Sequence, residues 1–483
     1  MRFALLCLPL IGLIITSEAA RKDRFDQKYR VVCYWGAWSF YRPGDGKFEA
    51  ENTNPNVCTH LMYGFSKLNP DNTIGLFDKD LDTGDTDWQS GLEWGHGMYR
   101  RWNDLRMVNP HATTMISIGG WNEGSDKYSN MVSSPASRKT FVDSVVKFLQ
   151  VQNFDGLDLD WYIKKNISEY PGMQAVGDAD RKPGKDTDKA NYIALLKELH
   201  EAFKPHGFVL SAAVSAGKPT IDRAYDVKSM STYLDFINLM SYDFHGGWEN
   251  KTGPSYAHNS PLHPRQEDVE LDKEFTIEYA VDYWLKLGAD AKKLVLGMPL
   301  YGRTFTLADP NQHGIGAKAV GKGGAAGPIT RLIGTLGYNE ICGMLKSGYK
   351  VYRDDVQKIP YAVSGDQWIG FDDVQSITDK VNFVKSKGLG GGMVWSIDTD
   401  DFRGLCGQGK YPLLKTISKL LNGIDGNPDP IIIEHHVTKK PAPGSTPQPG
   451  PDPTPAPVSL PTKKPGPTPQ PGSTPIKVLN SNI

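Results

Sequence analysis

The sequence predicts an α/β chain closed into a (β/α)8 barrel of the TIM class, with an α+β lobe inserted between strands 7 and 8. Three observations carry this expectation. Eight short apolar runs recur between residues 31 and 397, most of them continuous, as strands buried on both faces are. Stretches with helical periodicity lie between several of them. The segment separating the seventh run from the eighth is too long for one crossover. An open, doubly wound sheet is the rival, but the glycine-rich phosphate loop it often carries is absent. The glycines of GGW at 119–121 have the wrong spacing for one.

In order, the runs are VVCYW at 31–35, HLMYGF at 60–65, TTMISI at 113–118 and FDGLDLDW at 154–161. FVLSAAVS at 208–215, DFINLMSY at 235–242, LVLGMPLYG at 294–302 and GGMVWSI at 391–397 follow. RKTFVDSVVKFLQV puts Phe141, Val145, Phe148 and Leu149 on one helical stripe, and NYIALLKELHEAF does the same with Ile193, Leu196, Leu199 and Phe203. Eight strands with helical crossovers are the count for closure. Residues 303–380 hold GYKVYRDDVQKIPYAV and QWIGFDD, which read as hairpin strands of a lobe walling one side of a cleft. Barrel chemistry sits at the C-terminal strand ends. The aspartates of the fourth run, MSYDFHGGW, YGR and VWS all fall there.

The barrel domain is expected over 28–425. Before it, residues 1–19 of MRFALLCLPLIGLIITSEAA read as a secretory signal cleaved after Ser17-x-Ala19. Its apolar run is short for a membrane span, so a secreted, extracellular protein with no membrane partner is expected. With 54 Lys+Arg against 55 Asp+Glu, nothing marks a nucleic-acid partner or a polybasic anchor. Residues 427–483 are rich in Pro, Thr, Ser and Gly and repeat a TKKP…TPQPG unit imperfectly; they read as an extended tail suited to O-glycosylation. No cysteine follows Cys406, so no disulfide-stapled module is expected at that end. Loss of the signal removes Cys7 and leaves Cys33, Cys58, Cys342 and Cys406, an even count that argues for two disulfides in an exported chain. Three connectivities are open; pairing neighbours joins Cys33 to Cys58 and Cys342 to Cys406. A zinc site is the rival, and no CxxC spacing supports it.

Three aspartates crowd the fourth run: Asp155, Asp158 and Asp160. The last two alternate with Leu157 and Leu159, so both carboxylates face the barrel interior. Like charges that close resist joint ionisation, which raises one pKa. A metal site or a satisfied polar layer is the bland alternative. Seven aromatics weigh against it: Tyr34, Phe65, Trp121, Tyr242, Trp248, Tyr301 and Trp395 all sit at or just past strand ends. One such ring is usually core; seven around one mouth suggest a cleft where sugar rings stack. No metal-ligand spacing accompanies them.

Together, FDGLDLDW, SIGGW, MSYDFHGGWE, MPLYGRTF and GGMVWSIDTDDF resemble the signatures of family 18 glycoside hydrolases, the chitinases. The resemblance covers nearly all of 28–425 and is strongest to secreted arthropod chitinases, mite enzymes among them. It implies the barrel, the inserted lobe, both neighbouring cysteine pairs, a monomer, and chitin or chitooligosaccharides as partner, with no cofactor or metal. It also implies substrate-assisted catalysis, an exception to the two-carboxylate scheme. Asp160 would grip the acetamido N–H of the bound sugar, and Asp158 would share a proton with it. Tyr242 would bond the acetamido carbonyl, and Trp395 would floor the pocket. Asp243 and Arg303 would fix neighbouring groups. Tyr34, Phe65, Gly120, Trp121, Met240, Trp248 and Tyr301 complete the implied substrate-binding set.

One role is out of place. The family pattern reads FDGxDxDWEYP, with the acid glutamate directly after the strand's Trp. Here Tyr162 follows Trp161, and EYPG reappears at Glu169, so the simplest alignment inserts seven residues, YIKKNIS, before the catalytic acid Glu169. Such an extension could carry the acid up to ~23 Å away, and the phenol of Tyr162, with a usual pKa of about 10, is a poor donor. Two functions follow: a chitin-hydrolysing enzyme, or a chitin-binding lectin that has lost its acid. Asn166-Ile167-Ser168 and Asn250-Lys251-Thr252 are glycosylation sequons.

Overall fold

Each of the eight apolar runs becomes a parallel strand, and the eight close on themselves. The computed structural model describes residues 27–84, 86–87, 92–93, 96–161, 185–248, 258–266, 268, 270–321 and 323–426. The barrel strands are β1 (Arg30–Gly36), β2 (His60–Leu68), β3 (Thr113–Gly119), β4 (Gly156–Asp160), β5 (Val209–Ser215), β6 (Phe236–Met240), β7 (Leu294–Pro299) and β13 (Gly391–Trp395). Each pairs in parallel with its predecessor, and β13 pairs with both β7 and β1 to seal the ring. The signal, the tail, Glu169 and both sequon asparagines lie outside the described residues.

Alternation along the strands sorts two cores. Val31, Cys33 and Trp35 of β1 point outward and join the shell packed under the helices. Val32 and Tyr34 point inward, where they meet Met62, Met115, Val209, Phe236, Val295 and Met393 in the barrel's centre. Of the two expected crossover helices, α1 (Pro135–Gln152) starts at Ser134, whose side chain accepts the Ser137 N–H at 3.1 Å, with Pro135 at its first position. It buries Phe141, Val145 and Leu149, while Phe148 is half-buried. In α2 (Asp188–Phe203) the buried stripe is Tyr192, Leu195, Leu196, Leu199 and Phe203, and Ile193 only flanks it.

The inserted lobe is an antiparallel sheet built from β8 (Tyr301–Leu307), β9 (Thr335–Gly337), β10 (Lys350–Asp354), β11 (Ile359–Ser364) and β12 (Gln367–Gly370), together with helix α3 (Tyr338–Lys346). Its sheet spans 301–370 where 303–380 was expected. A single residue, Leu300, separates β7 from β8, and α4 (Val374–Ser386) packs on β7 and β13 as a barrel helix. The last helix, α5 (Pro412–Asn422), lies against α4.

Both neighbouring cysteine pairs are bonded. Cys33–Cys58 joins β1 to the segment entering β2, and Cys342–Cys406 ties the lobe's α3 to the stretch after β13. Among the described residues, no helix is long and apolar enough to cross a membrane. Replacing Cys33 and Cys58 by alanine should cost about 2–4 kcal/mol through the freed loop entropy, read as a lower denaturant midpoint. An unchanged midpoint would show that this cross-link does not restrain the unfolded chain.

Candidate active site

Asp158 lies at the centre of the barrel with both carboxylate oxygens occupied. One oxygen accepts the Tyr34 hydroxyl at 2.8 Å and the Ser117 hydroxyl at 2.7 Å. The other accepts Ser211 Oγ at 2.7 Å and, more loosely, Asn238 Nδ2 at 3.4 Å. These donors come from β1, β3, β5 and β6, so one carboxylate draws on half the barrel. Burial still pushes its pKa up, against the opposing pull of the four donors.

Asp160 is two residues further along the same face and is also buried. Its Oδ1 has no hydrogen-bond partner among the described residues. Burial and then the charge of Asp158 hold its pKa well above the usual carboxylate range. When two such groups share one proton, the one without donors keeps it, because nothing supports its ionised form. The asymmetry is therefore built in: a braced carboxylate below, a protonated one at the mouth.

The neighbouring strand end must come very close to achieve this. Gly119 and Gly120 adopt φ of +116° and +83°, and a Cβ at Gly119 would lie 2.2 Å from the Asp160 carbonyl oxygen. Gly120 N–H donates to that same oxygen at 2.9 Å. A Cβ at Gly120 would press on the Phe65 ring at 2.8 Å. Only glycine fits both demands.

Asp155, the first of the three aspartates, stands at the opposite end of β4. Its carboxylate accepts the Thr114 N–H at 3.0 Å and pairs with Arg106 at 2.8 Å, which fastens β4 to β3 and to the helix Met98–Val108. It belongs to the scaffold.

The aromatic residues divide by depth. Trp395 is half-buried at the mouth, with the Phe65 ring 5.8 Å and the Trp38 ring 6.0 Å away. Phe65 and Trp38 are nearly parallel at 6.1 Å. Tyr34 lies beneath them, 1% exposed, so it serves as a brace for Asp158 and has no face open for stacking. Tyr242 is buried, with its hydroxyl 3.8 Å from the Met393 sulfur, and burial with nearby Asp160 raises its pKa. Trp121 and Met240 are half-buried at the ends of β3 and β6.

On the lobe side, Asp243 sits in the left-handed region at φ 58°. Its Oδ1 accepts the Tyr301 hydroxyl at 2.6 Å and the Arg303 fork at 2.8 and 2.7 Å. Tyr301 is buried by this bond, and the Arg303 guanidinium lies 4.9 Å over the half-buried Trp248 ring. Trp161 is pinned behind β4 by a 3.0 Å bond to Ser125 Oγ and by the Tyr128 and Tyr192 rings. The described chain pauses directly after it, so the positions of Tyr162 and Glu169 lie outside the described residues.

Sequence reasoning missed Trp38, Ser117, Ser211 and Asn238. The last three carried a readable signal, since each is a polar residue at an inward position of an apolar run. Trp38 follows the end of β1 in a short 3-10 turn, where no periodicity marks it.

Residues 30–400 match the family model for Glycosyl hydrolases family 18. The chain belongs to this family. It is 39% identical to Chitotriosidase-1 of Mus musculus over 87% of this chain and 84% of that one. It is 40% identical to Chitinase-3-like protein 2 of Homo sapiens over 82% of this chain and 93% of that one. It spans 17% of the length of probable chitinase 10 of Drosophila melanogaster, to which it is 39% identical. Among solved structures, the group IV chitinase of Ostrinia furnacalis matches with a TM-score of 0.72 at 38% identity, covering 81% of this chain and 99% of that one. Human YKL-39, described as a pseudo-chitinase with retained chitooligosaccharide binding, matches with a TM-score of 0.71 at 40% identity, covering 81% and 99%. The chain is thus a family 18 chitinase by kinship, in a family that also includes non-hydrolysing members.

Because the folded pKa of Asp160 is raised above the unfolded value of about 3.9, the folded state holds the extra proton between the two values. The stability this gives is complete at low pH and lost as pH rises through the folded pKa. Asp160→Asn should therefore melt higher than the parent at neutral pH, with the gap closing toward pH 4. Asp82 and Asp400, each pushed up to about 7 by burial, titrate in both proteins and cancel in the comparison. Parallel melting curves across pH would show that Asp160 is not held protonated.

Proposed function

We propose that this chain hydrolyses the β-1,4 N-acetylglucosamine links of chitin by substrate-assisted, retaining catalysis. The observation that carries the reading is the pair on β4: Asp158 saturated by donors, and Asp160 buried with an oxygen left open. In this reading the acetamido oxygen of the bound sugar attacks its own anomeric carbon while the glycosidic C–O bond breaks. The departing oxygen takes a proton from an acid, leaving an oxazolinium ion that water opens from the opposite face. Asp160 accepts the acetamido N–H and, as positive charge grows, passes its proton toward Asp158. Tyr242 donates to the acetamido carbonyl and orients it for attack. Asp243 and Arg303 hold neighbouring hydroxyl and carbonyl groups, and Trp395 carries the sugar face, extended by Phe65 and Trp38.

Residues 1–19 fit a signal that exports the chain, with 28–425 as catalytic domain and 427–483 as an extended tail. A monomer acting on extracellular chitin is the corresponding picture. Relatives support the ligand class: an Ostrinia furnacalis group IV chitinase was solved with allosamidin, and YKL-39 with chitooligosaccharides. A second reading, a chitin-binding lectin, is favoured by one observation. Tyr162 follows Trp161 where the family places its acid, and Glu169 comes seven residues later.

Chitotetraose titrated calorimetrically should bind the unmodified chain, and Trp395→Ala or Trp38→Ala should weaken binding about tenfold, the worth of one stacked ring. Unchanged affinity in both would mean that the sugar lies elsewhere.

Deletion of Tyr162–Ser168 joins Trp161 to Glu169 and restores the family's DWEYP order. Turnover of chitooligosaccharides should then rise by about a hundredfold or more, the usual worth of a general acid, with binding little changed. Glu169→Gln in the shortened chain should abolish the gain. A folded deletion with no gain would refute a displaced acid. Rapid turnover by the unmodified chain that is lost on Glu169→Gln would show that Glu169 already reaches the leaving oxygen.

A further inference from the structure

A fully buried ion pair lies behind the site, and the reaction described above does not use it. Lys380 of α4 and Asp372 are both without exposed side-chain surface and meet at 2.7 Å. Asp372 also accepts the Ser376 hydroxyl at 2.7 Å. Such a pair is an expensive choice for a core, because two ions must leave water. Its partners suggest what it achieves. Lys380 Nζ donates to Ser260 Oγ at 3.0 Å, and that hydroxyl donates to the Ser241 carbonyl at 2.7 Å. The lysine has donors only. It therefore occupies a lone pair of Ser260 and leaves the hydroxyl proton to Ser241, the residue directly before Tyr242.

The residues beside Ser260 act on the same segment. Asn259 is fully buried; its Oδ1 accepts the Asp243 N–H at 2.9 Å and its Nδ2 donates to the Tyr301 carbonyl at 3.2 Å. Its carbonyl accepts the Phe244 N–H at 3.1 Å. His258 Nδ1 accepts the Ser260 N–H at 3.0 Å, which leaves the Nε2 proton for the Phe371 carbonyl at 2.9 Å. Burial, then the nearby Lys380 charge, pushes the His258 pKa down to about 3, so the ring stays neutral and keeps this arrangement.

We infer that His258–Ser260, seated on the Lys380–Asp372 pair, is a positioning element that fixes Tyr242, Asp243 and Tyr301 for substrate. The left-handed backbone of Asp243 is an uncommon state for a non-glycine residue, and Asn259 supplies the bond that holds it. Bonds therefore run without a break from α4 to the residues proposed to grip the sugar. All of these supporting side chains are buried.

The inference rests on the chitin-binding reading, and the test separates the two. Lys380→Met, Lys380→Met/Asp372→Leu and Asn259→Ala are compared with the unmodified chain by thermal unfolding and by chitotetraose calorimetry. Lys380→Met alone leaves a buried charge unpaired and should melt lower. The double variant replaces the pair by apolar groups and should recover the parent's melting temperature. Its affinity should nevertheless stay down about tenfold, as should that of Asn259→Ala, because orientation is lost while packing is kept. Full recovery of affinity together with stability in the double variant would overturn the inference and leave the pair purely structural. Native affinity in a folded Asn259→Ala would overturn it too. If the unmodified chain itself fails to bind chitotetraose, the functional reading falls first, and this inference with it.

Discussion

Two carboxylates, two residues apart on one strand and both inside a closed barrel, impose the constraint that organises this molecule. A buried carboxylate must be braced or protonated. Asp158 is braced, and the bracing dictates polar residues at inward positions of four strands: Tyr34, Ser117, Ser211 and Asn238. Only a closed barrel brings β1, β3, β5 and β6 to one point. Asp160 lacks such bracing, so burial beside Asp158 raises its pKa well above the usual carboxylate range, and Gly119 passes tightly by its carbonyl. The fold and the electrostatics of the site are therefore one problem with one solution.

Around this centre the mouth is held by ties between loops that are remote in sequence. Asp398, just past β13, accepts the Gly36 N–H at 3.1 Å and pairs with Arg42 at 2.7 Å, both ends buried. This closes the loop after β1 onto the loop after β13 and so brings Trp38 beside Trp395. On the other side, Asn259 and Asp243 fasten the loop after β6 to the first lobe strand. Loops carry function when a rigid frame positions them, and here the frame reaches into the loops through buried hydrogen bonds.

Much of this was legible in the sequence. Apolar runs, most of them continuous, marked all eight strands, and period-two alternation turned Asp158 and Asp160 inward correctly. Position along a strand proved harder to read than orientation. Asp155 looked like a third member of the cluster, yet three residues of β4 are enough to carry it to the far end of the barrel, where Arg106 meets it. Tyr34 and Tyr301 looked like stacking rings, but each donates its hydroxyl to an aspartate, and those bonds draw them under the surface. Burial depth depends on partners far away in the chain, and no local pattern encodes it. Trp38 and the His258–Ser260 segment escaped for the same reason: their roles come from contacts more than a hundred residues distant, with Trp395 in one case and Lys380 in the other.

A desolvated carboxylate with one oxygen that meets no hydrogen-bond partner among the described residues contributes nothing to folding at neutral pH. Asparagine at position 160 would remove the repulsion with Asp158, and leucine would remove the unsatisfied oxygen as well. Natural chains hold such strained features where the strain is useful and offset it elsewhere. Here the offset is visible in the four donors to Asp158, which keep one charge affordable while the other is held as a proton. That arrangement suits a site that must meet an acetamido group with one oxygen ready to accept and one proton ready to move. None of it depends on where the acid after Trp161 stands. In the proposed reaction, sugar recognition and acetamido activation fall to the barrel and its tied loops, and proton donation to the segment that follows β4. On that reading, the seven residues that separate Trp161 from Glu169 would change the rate of cleavage and leave the half of the site that binds as it is.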